Sequence, residues 1–355
     1  MPKKLFVTDC EGPLSLNDNA YELAKEFIPD GDEFFRIVSL FDDYLVDIVK
    51  KPDYNAGSTL KLIVPFFKAY GVTNGDIIDF SRNNVLFVDG ARGTMELAKK
   101  AMDSFIVSTS YGQYIEAVCD SLGFPFENTY YTSLDIYDSF EISDEDRKKL
   151  FEFKEIISEI ADKEKKDDFL DVDRLNEIFF EEIPKMNIYK LADCVVCVGG
   201  MGKQIAVEDI IANLEIEKNG LMYVGDSHTD VEPLGFAKEN GGIGISFNGN
   251  ESAIKEAEIA IISDNTIVTS LLIDLHSKFN KDYVLEFVKS YSSDPKRAFE
   301  SFRIGFALID KFNEIFVDKD LPIIELVTGD NLEELVLKSI EMRKKVRGDS
   351  IGSLG

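Results

Sequence analysis

Short apolar runs alternate with amphipathic stretches along most of this chain, and the runs stop abruptly in polar residues. "LFVTDCEG" breaks into carboxylates at Asp9 and Glu11, "SFIVSTS" ends in Ser108, Thr109 and Ser110, and "LMYVGDSHTD" breaks at Asp226. Each is followed by residues at helical spacing, as in "YGQYIEAVCDSLG", which Gly123 closes. Strand then helix at this spacing predicts a parallel sheet with helices on both faces, a Rossmann-like α/β architecture. The sheet is expected to take runs near 4–8, 85–88, 104–108, 129–133, 194–198, 220–226, 241–247 and 259–263.

Three stretches interrupt the alternation. Residues 14–84 carry apolar positions at helical spacing, with helices expected near 18–27, 32–49 and 59–70, so they read as a compact helical insert. Residues 138–190 are dense in charge and helical in period. They read as a solvated helical excursion within the core, with "ADKEKKDD" as a turn or exposed linker. Residues 266–346 turn mainly helical, and 347–355 read as a flexible tail. The core is thus assigned to 1–13 and 85–265.

The chain's 355 residues, 45% of them apolar, can build a sizeable core. No apolar run approaches the ~20 residues of a spanning helix, and the first residues run straight into a strand without a signal-peptide pattern. A cytoplasmic protein without membrane insertion is expected. The net charge of −27 disfavours nucleic acid and anionic membranes. It also requires any phosphate site to be made locally positive. Four cysteines in a chain of this size do not suggest a disulfide framework. Cys194 and Cys197, in "CVVCV", lack a second ligand pair and read as buried strand residues, and Cys10 as buried between its acidic neighbours.

In an open parallel sheet the carboxyl ends of the strands share one edge, where ligands bind. Asp9, Glu11, Ser108–Ser110, Lys203 at a helix start, and Asp226 and Asp230 can therefore meet although they span most of the chain. Four carboxylates together are costly unless a hard cation joins them, and Mg²⁺ takes oxygen ligands of this kind. Ser108 and the backbone near Thr109 and Gly12 offer donors to a phosphoryl group, and Lys203 offers positive charge. His228 lies among these residues without a spacing that makes it a ligand.

The ordered set resembles the haloacid dehalogenase superfamily of phosphatases and phosphotransferases. "FVTDCEG", "FIVSTS", Lys203 in "GGMGKQIAVEDI" and "YVGDSHTD" are similar to its four motifs, and "IVSTSYGQYIEAVCDSLGFP" is similar to the phosphoserine-phosphatase branch. The resemblance covers roughly 1–135 and 198–265, and 14–84 is similar to a C1 cap. It implies Asp9 as nucleophile, Glu11 as acid and base, Lys203 as charge stabiliser, and Ser108, Thr109 and Gly12 as phosphate-binding. It implies Mg²⁺ held by Asp9, the Glu11 carbonyl and Asp226, with Asp230 as ligand or support. Glu11 departs from the usual D-x-D. Its reference pKa is higher, about 4.3 against 3.9, which suits an acid that must hold its proton. Cap candidates for substrate contact are Arg36, Asp43 and Lys51, with Asp42 and Tyr54 nearby. The implied activity is Mg²⁺-dependent hydrolysis of a small phosphorylated metabolite. Transfer to a hydroxyl acceptor is one alternative. The other is an accessory subunit, such as one associated with an archaeal hydrogenase, whose added helices meet a protein partner.

Overall fold

The computed structural model describes residues 3–52, 54–137, 140–167 and 169–352. Its centre is a seven-stranded sheet in the order β3-β2-β1-β4-β5-β6-β7. The strands are β1 (Leu5–Thr8), β2 (Asp103–Tyr111), β3 (Thr129–Thr132), β4 (Leu221–Gly225), β5 (Ile243–Phe247), β6 (Ile259–Ile262) and β7 (Ile323–Leu326). All pairings are parallel except β6 with β7. Side chains alternate between faces. Phe6, Met222 and Val224 face one apolar layer with the helices Ala91–Ala101, Gly112–Leu122 and Ile267–Lys278. Leu5, Val7, Leu221 and Tyr223 face the opposite layer, with the helix Met201–Leu214. A strand buried on both sides reads as a continuous apolar run, which is why "LFV" and "LMYV" do.

Local signals set the helix ends. Asp18 accepts the Tyr21 N–H ahead of Asn19–Phe27, and Thr73 forms a reciprocal capping pair with Asp76 ahead of Asn74–Asn83. Gly123 ends its helix in a left-handed conformation at φ 62°. The expected helix over 59–70 is two, Thr59–Leu62 and Val64–Ala69, with Pro65 at the start of the second, where its missing N–H costs nothing.

The structure departs from the sequence reading in four places. The segment 140–195 is not a solvated excursion. Leu150, Ile157, Leu175 and Phe179 are buried in one apolar cluster with Phe34, Phe41, Phe66 and Ile77 of the insert after β1. "ADKEKKD" continues the long helix Asp144–Asp167 rather than breaking it. "VLFV" and "CVVCV" form no strand. Phe87 makes an isolated bridge to Ser15, and Val196 and Cys194 are exposed while Val195 is buried under the cap. The C-terminal region supplies β7, antiparallel at the edge of the sheet, and residues 347–352 belong to the helical segment Leu332–Gly352, not to a loose tail. Residues 353–355 lie outside the described ones. Among the described residues no helix is long and apolar enough to cross a membrane.

Candidate active site

The tips of β1 and β4 meet where the Asp9 N–H donates to the Val224 carbonyl at 2.8 Å. Asp9 Oδ1 accepts from its neighbour's N–H on Cys10 at 2.6 Å, and Oδ2 accepts from Lys203 Nζ at 2.5 Å. Lys203 comes from the first turn of the helix Met201–Leu214, behind the Gly199–Gly200 turn. Gly199 has no room for a side chain, since a Cβ there would stand 2.1 Å from the Ala56 carbonyl of the cap. Lys203 also donates to Asp230 Oδ1 at 2.8 Å, and its side chain is fully buried.

Asp230 is saturated. Oδ1 accepts from Lys203 and from the Tyr223 hydroxyl at 2.6 Å. Oδ2 accepts from the N–H groups of Asp226 and Ser227 and from the Ser227 hydroxyl. Through its contact with Lys203, Asp230 fixes the position of the ammonium beside Asp9. Tyr223 escaped the sequence reading. The signal was a lone hydroxyl in an aliphatic strand, one of whose faces leads to the site.

Gly12 stands against Asp226. Its φ is +94°, and a Cβ there would fall 2.2 Å from the Asp226 carboxyl carbon. Its N–H is taken by the Ser15 carbonyl at 2.8 Å, so Gly12 gives Asp226 room rather than offering a donor to phosphate. Asp9, Asp226 and Asp230 present oxygens within 4.8 Å of one another.

Burial governs the charges here. It lifts Asp9 to about 7, against the opposing Lys203 and with help from Asp230 and Asp226. It pushes Glu11 well above the carboxylate range, with Asp18 adding repulsion and the Asn19 N–H opposing. Lys203 is lowered by burial, but Asp230 and Asp9 outweigh this and raise it. Asp226 is raised by burial against two opposing arginines.

A cavity of about 110 Å³ opens above these groups. Asp9, Glu11, Asp226, Thr109 and Ser110 form its floor, and Phe35, Asp42, Asp43 and Gly57 of the cap its roof. Ser108 is buried below this surface, its hydroxyl bonded to that of Ser110 at 3.3 Å, so the lining comes from the two residues after it. The Thr109 hydroxyl is buried without a hydrogen-bond partner. Of the cap candidates, Asp43 lines the cavity. Arg36 does not. It pairs with Glu33 at 3.1 Å and Glu164 at 2.6 Å and ties the cap to the long helix of the 140–195 segment. Lys51 lies 3.8 Å over the Phe180 ring, also away from the lining. Tyr54 borders a second cavity, beside Phe179, Phe180 and Cys197. His228 lines the site and reaches Asp47 of the cap at 3.3 Å, so it bridges core to cap.

Two residues from the far end of the chain also line the cavity. Arg343 is buried and donates to the carboxylate of Asp226, to the Asp226 carbonyl at 3.1 Å and to the Asn248 carbonyl at 3.4 Å. Arg347 reaches the same Asp226 oxygen at 3.2 Å. Their four-residue spacing puts them on one helix face, but nothing local marks that face as the one turned to Asp226.

No protein-family model matches the chain, and no curated protein matches it in sequence. Among solved structures, the gene product AF1437 from Archaeoglobus fulgidus is similar with a TM-score of 0.75 at 28% sequence identity. The match covers 100% of this chain and 99% of that one, so it extends over the added helices. A substrate-bound phosphoserine phosphatase complex is similar at a TM-score of 0.49 and 15% identity, over 75% of this chain and 95% of the other. A HAD family hydrolase from Salmonella enterica serovar Typhi is similar at 0.47 and 12%, over 72% and 66%. The sheet and its covering helices make a Rossmann-like α/β fold, and Asp9, Lys203, Asp226 and Asp230 of the resembling motifs meet at one end of its strands.

Proposed function

We propose that the protein is a phosphohydrolase acting on a small phosphomonoester through an aspartyl-phosphate at Asp9. The observation that carries this reading is the meeting of Asp9, Lys203 and Asp230 by contacts of 2.5 and 2.8 Å, with Asp226 alongside and a small cavity above them.

An Asp9 carboxylate oxygen attacks phosphorus as the ester P–O bond breaks. Glu11 gives its proton to the leaving oxygen. Burial keeps that proton on Glu11 before the step. Glu11, now ionised, then takes a proton from the water that attacks the acyl phosphate. The P–O bond to Asp9 breaks, and phosphate and the free carboxylate result. Lys203 holds Asp9 in place and balances charge that builds on the transferring group. Thr109 and Ser110 face that group from β2, and the Thr109 hydroxyl has no other partner. The cap roof excludes water from the first step.

The donor set fits Mg²⁺. Asp9, Asp226 and the Glu11 carbonyl are hard oxygen ligands, and the demand of Asp226 for positive charge is visible in the two guanidinium groups it collects. When bound, Mg²⁺ supplies charge neutralisation and polarises the phosphoryl oxygens.

The test is phosphate release from a panel of small phosphomonoesters with Mg²⁺, together with Asp9→Asn. Wild type is expected to turn over at least one ester, and the variant to lose activity by about 10³-fold or more. Turnover retained in Asp9→Asn would refute the nucleophile assignment.

A further inference from the structure

Arg343 and Arg347 occupy the carboxylate that the reading above assigns to a divalent cation. Their hold is built from several sides. Arg347 Nε donates to the Leu16 carbonyl at 3.1 Å and Nη2 to the Asn17 carbonyl at 2.6 Å, so the same residue grips the linker into the cap. Upstream, the Ser339 hydroxyl donates to the Gly249 carbonyl at 2.6 Å and seats the helix on the loop after β5. Immediately after Arg347 the helix breaks at Gly348, with φ 79° and ψ 162°. The chain then doubles back. A Cβ on Gly352 would stand 2.8 Å from the Lys344 Cα, and Ile351 joins the cavity lining. The arginines and Ile351 of the returning turn therefore line the cavity together with the core and the insert.

A divalent ion on Asp226 and two guanidinium groups on the same carboxylate repel one another in a buried site with little water to screen them. Asp226 Oδ2 already serves both arginines. We propose that Arg343 and Arg347 are a tethered cation that competes with the divalent metal for Asp226, so that the C-terminal segment 343–352 is an autoinhibitory strap released when metal binds. The inference rests on Asp226 being a metal ligand. By linkage, whatever withdraws the strap raises metal affinity, and metal loosens the strap by the same factor. The break at Gly348 gives the returning turn a place to lift from the helix, and release of Arg347 removes two of the hydrogen bonds on the Leu16–Asn17 linker, which the contacts to Leu86, Glu22, Asn84 and Tyr114 still hold.

The test uses Mn²⁺ as a paramagnetic probe of the full chain, read by electron paramagnetic resonance, with amide hydrogen exchange over residues 340–352. Arg343→Met/Arg347→Met keeps the apolar stems and removes the charges. Its Mn²⁺ dissociation constant is expected to fall on the order of tenfold or more. In wild type, saturating Mn²⁺ is expected to speed exchange in 343–352 by a similar factor. This second arm needs no variant to fold. If Mn²⁺ saturates wild type while exchange in 343–352 is unchanged or slowed, the strap is wrong and the metal assignment stands. If Mn²⁺ binds neither wild type nor the variant, both fall together.

Discussion

At the scale of single residues, the site shows how burial makes ordinary groups selective. Asp9 and Asp230 are both buried aspartates beside Lys203, yet burial leaves Asp9 raised to about 7, while at Asp230 the Lys203 ion pair and four further donor groups outweigh burial and hold it below its usual range. The difference lies in the number of donors each carboxylate accepts. His276 shows the opposite sign for a base. It is buried, its Nε2–H donates to the Gly220 carbonyl just before β4 at 2.8 Å, and burial with the nearby Lys4 lowers it to about 4. A histidine kept neutral in the fold but free to charge when unfolded contributes stability above its ordinary pKa of 6.5, and loses it as pH falls toward 4. His276→Gln is therefore expected to flatten the pH dependence of unfolding between those values. Denaturant titrations across that window should show a difference from wild type of up to about 3 kcal/mol.

At the scale of elements, the cap and the 140–195 segment are one packing unit. Leu150 on the helix Asp144–Asp167 is fully buried in the cluster it shares with cap phenylalanines. Leu150→Ala is expected to cost about 2–5 kcal/mol, seen as a lower urea midpoint, with the loss reported by cap residues as well as by the segment itself. The charge-rich sequence hid this, because apolar residues spaced for one helix face leave the other face free for Lys and Glu, and composition averages the two. What was legible followed from local rules. A strand buried on both faces writes itself as "LFV" or "LMYV", and the acids at Asp9 and Asp226 stand out because they end such runs. "CVVCV" imitates that signature, but its residues divide among a cap cluster, solvent and the sheet face. Arg36 and Lys51 could be placed in the insert from sequence, but not relative to the cavity, since that depends on how the helix Gly31–Tyr44 and the loop after it pack against Glu164 and Phe180, more than a hundred residues away. Arg343 and Arg347 were illegible for the same reason.

At the scale of the whole molecule, 66 acidic against 39 basic residues leave a strongly negative body around the site proposed for a phosphate ester. Self-repulsion of that size works against the compact state and is screened by salt, over about 10 Å at 0.1 M. The thermal midpoint is expected to rise between about 0.01 and 0.5 M NaCl, as differential scanning calorimetry would record. A flat or falling midpoint would mean that the negative groups are already balanced in the fold by the arrangement of lysines and arginines. The order in which the parts are made matters too. β7 and the helix carrying Arg343 and Arg347 follow β1 to β6 in the chain, so they leave the ribosome after them. Until they emerge, β6 lacks its antiparallel neighbour and Asp226 its guanidinium partners, so the proposed strap is added to the pocket after the segments that form its floor. A polypeptide that matures in this sequence has a short interval, set by elongation, in which an ion from the surrounding solution can reach the carboxylates first.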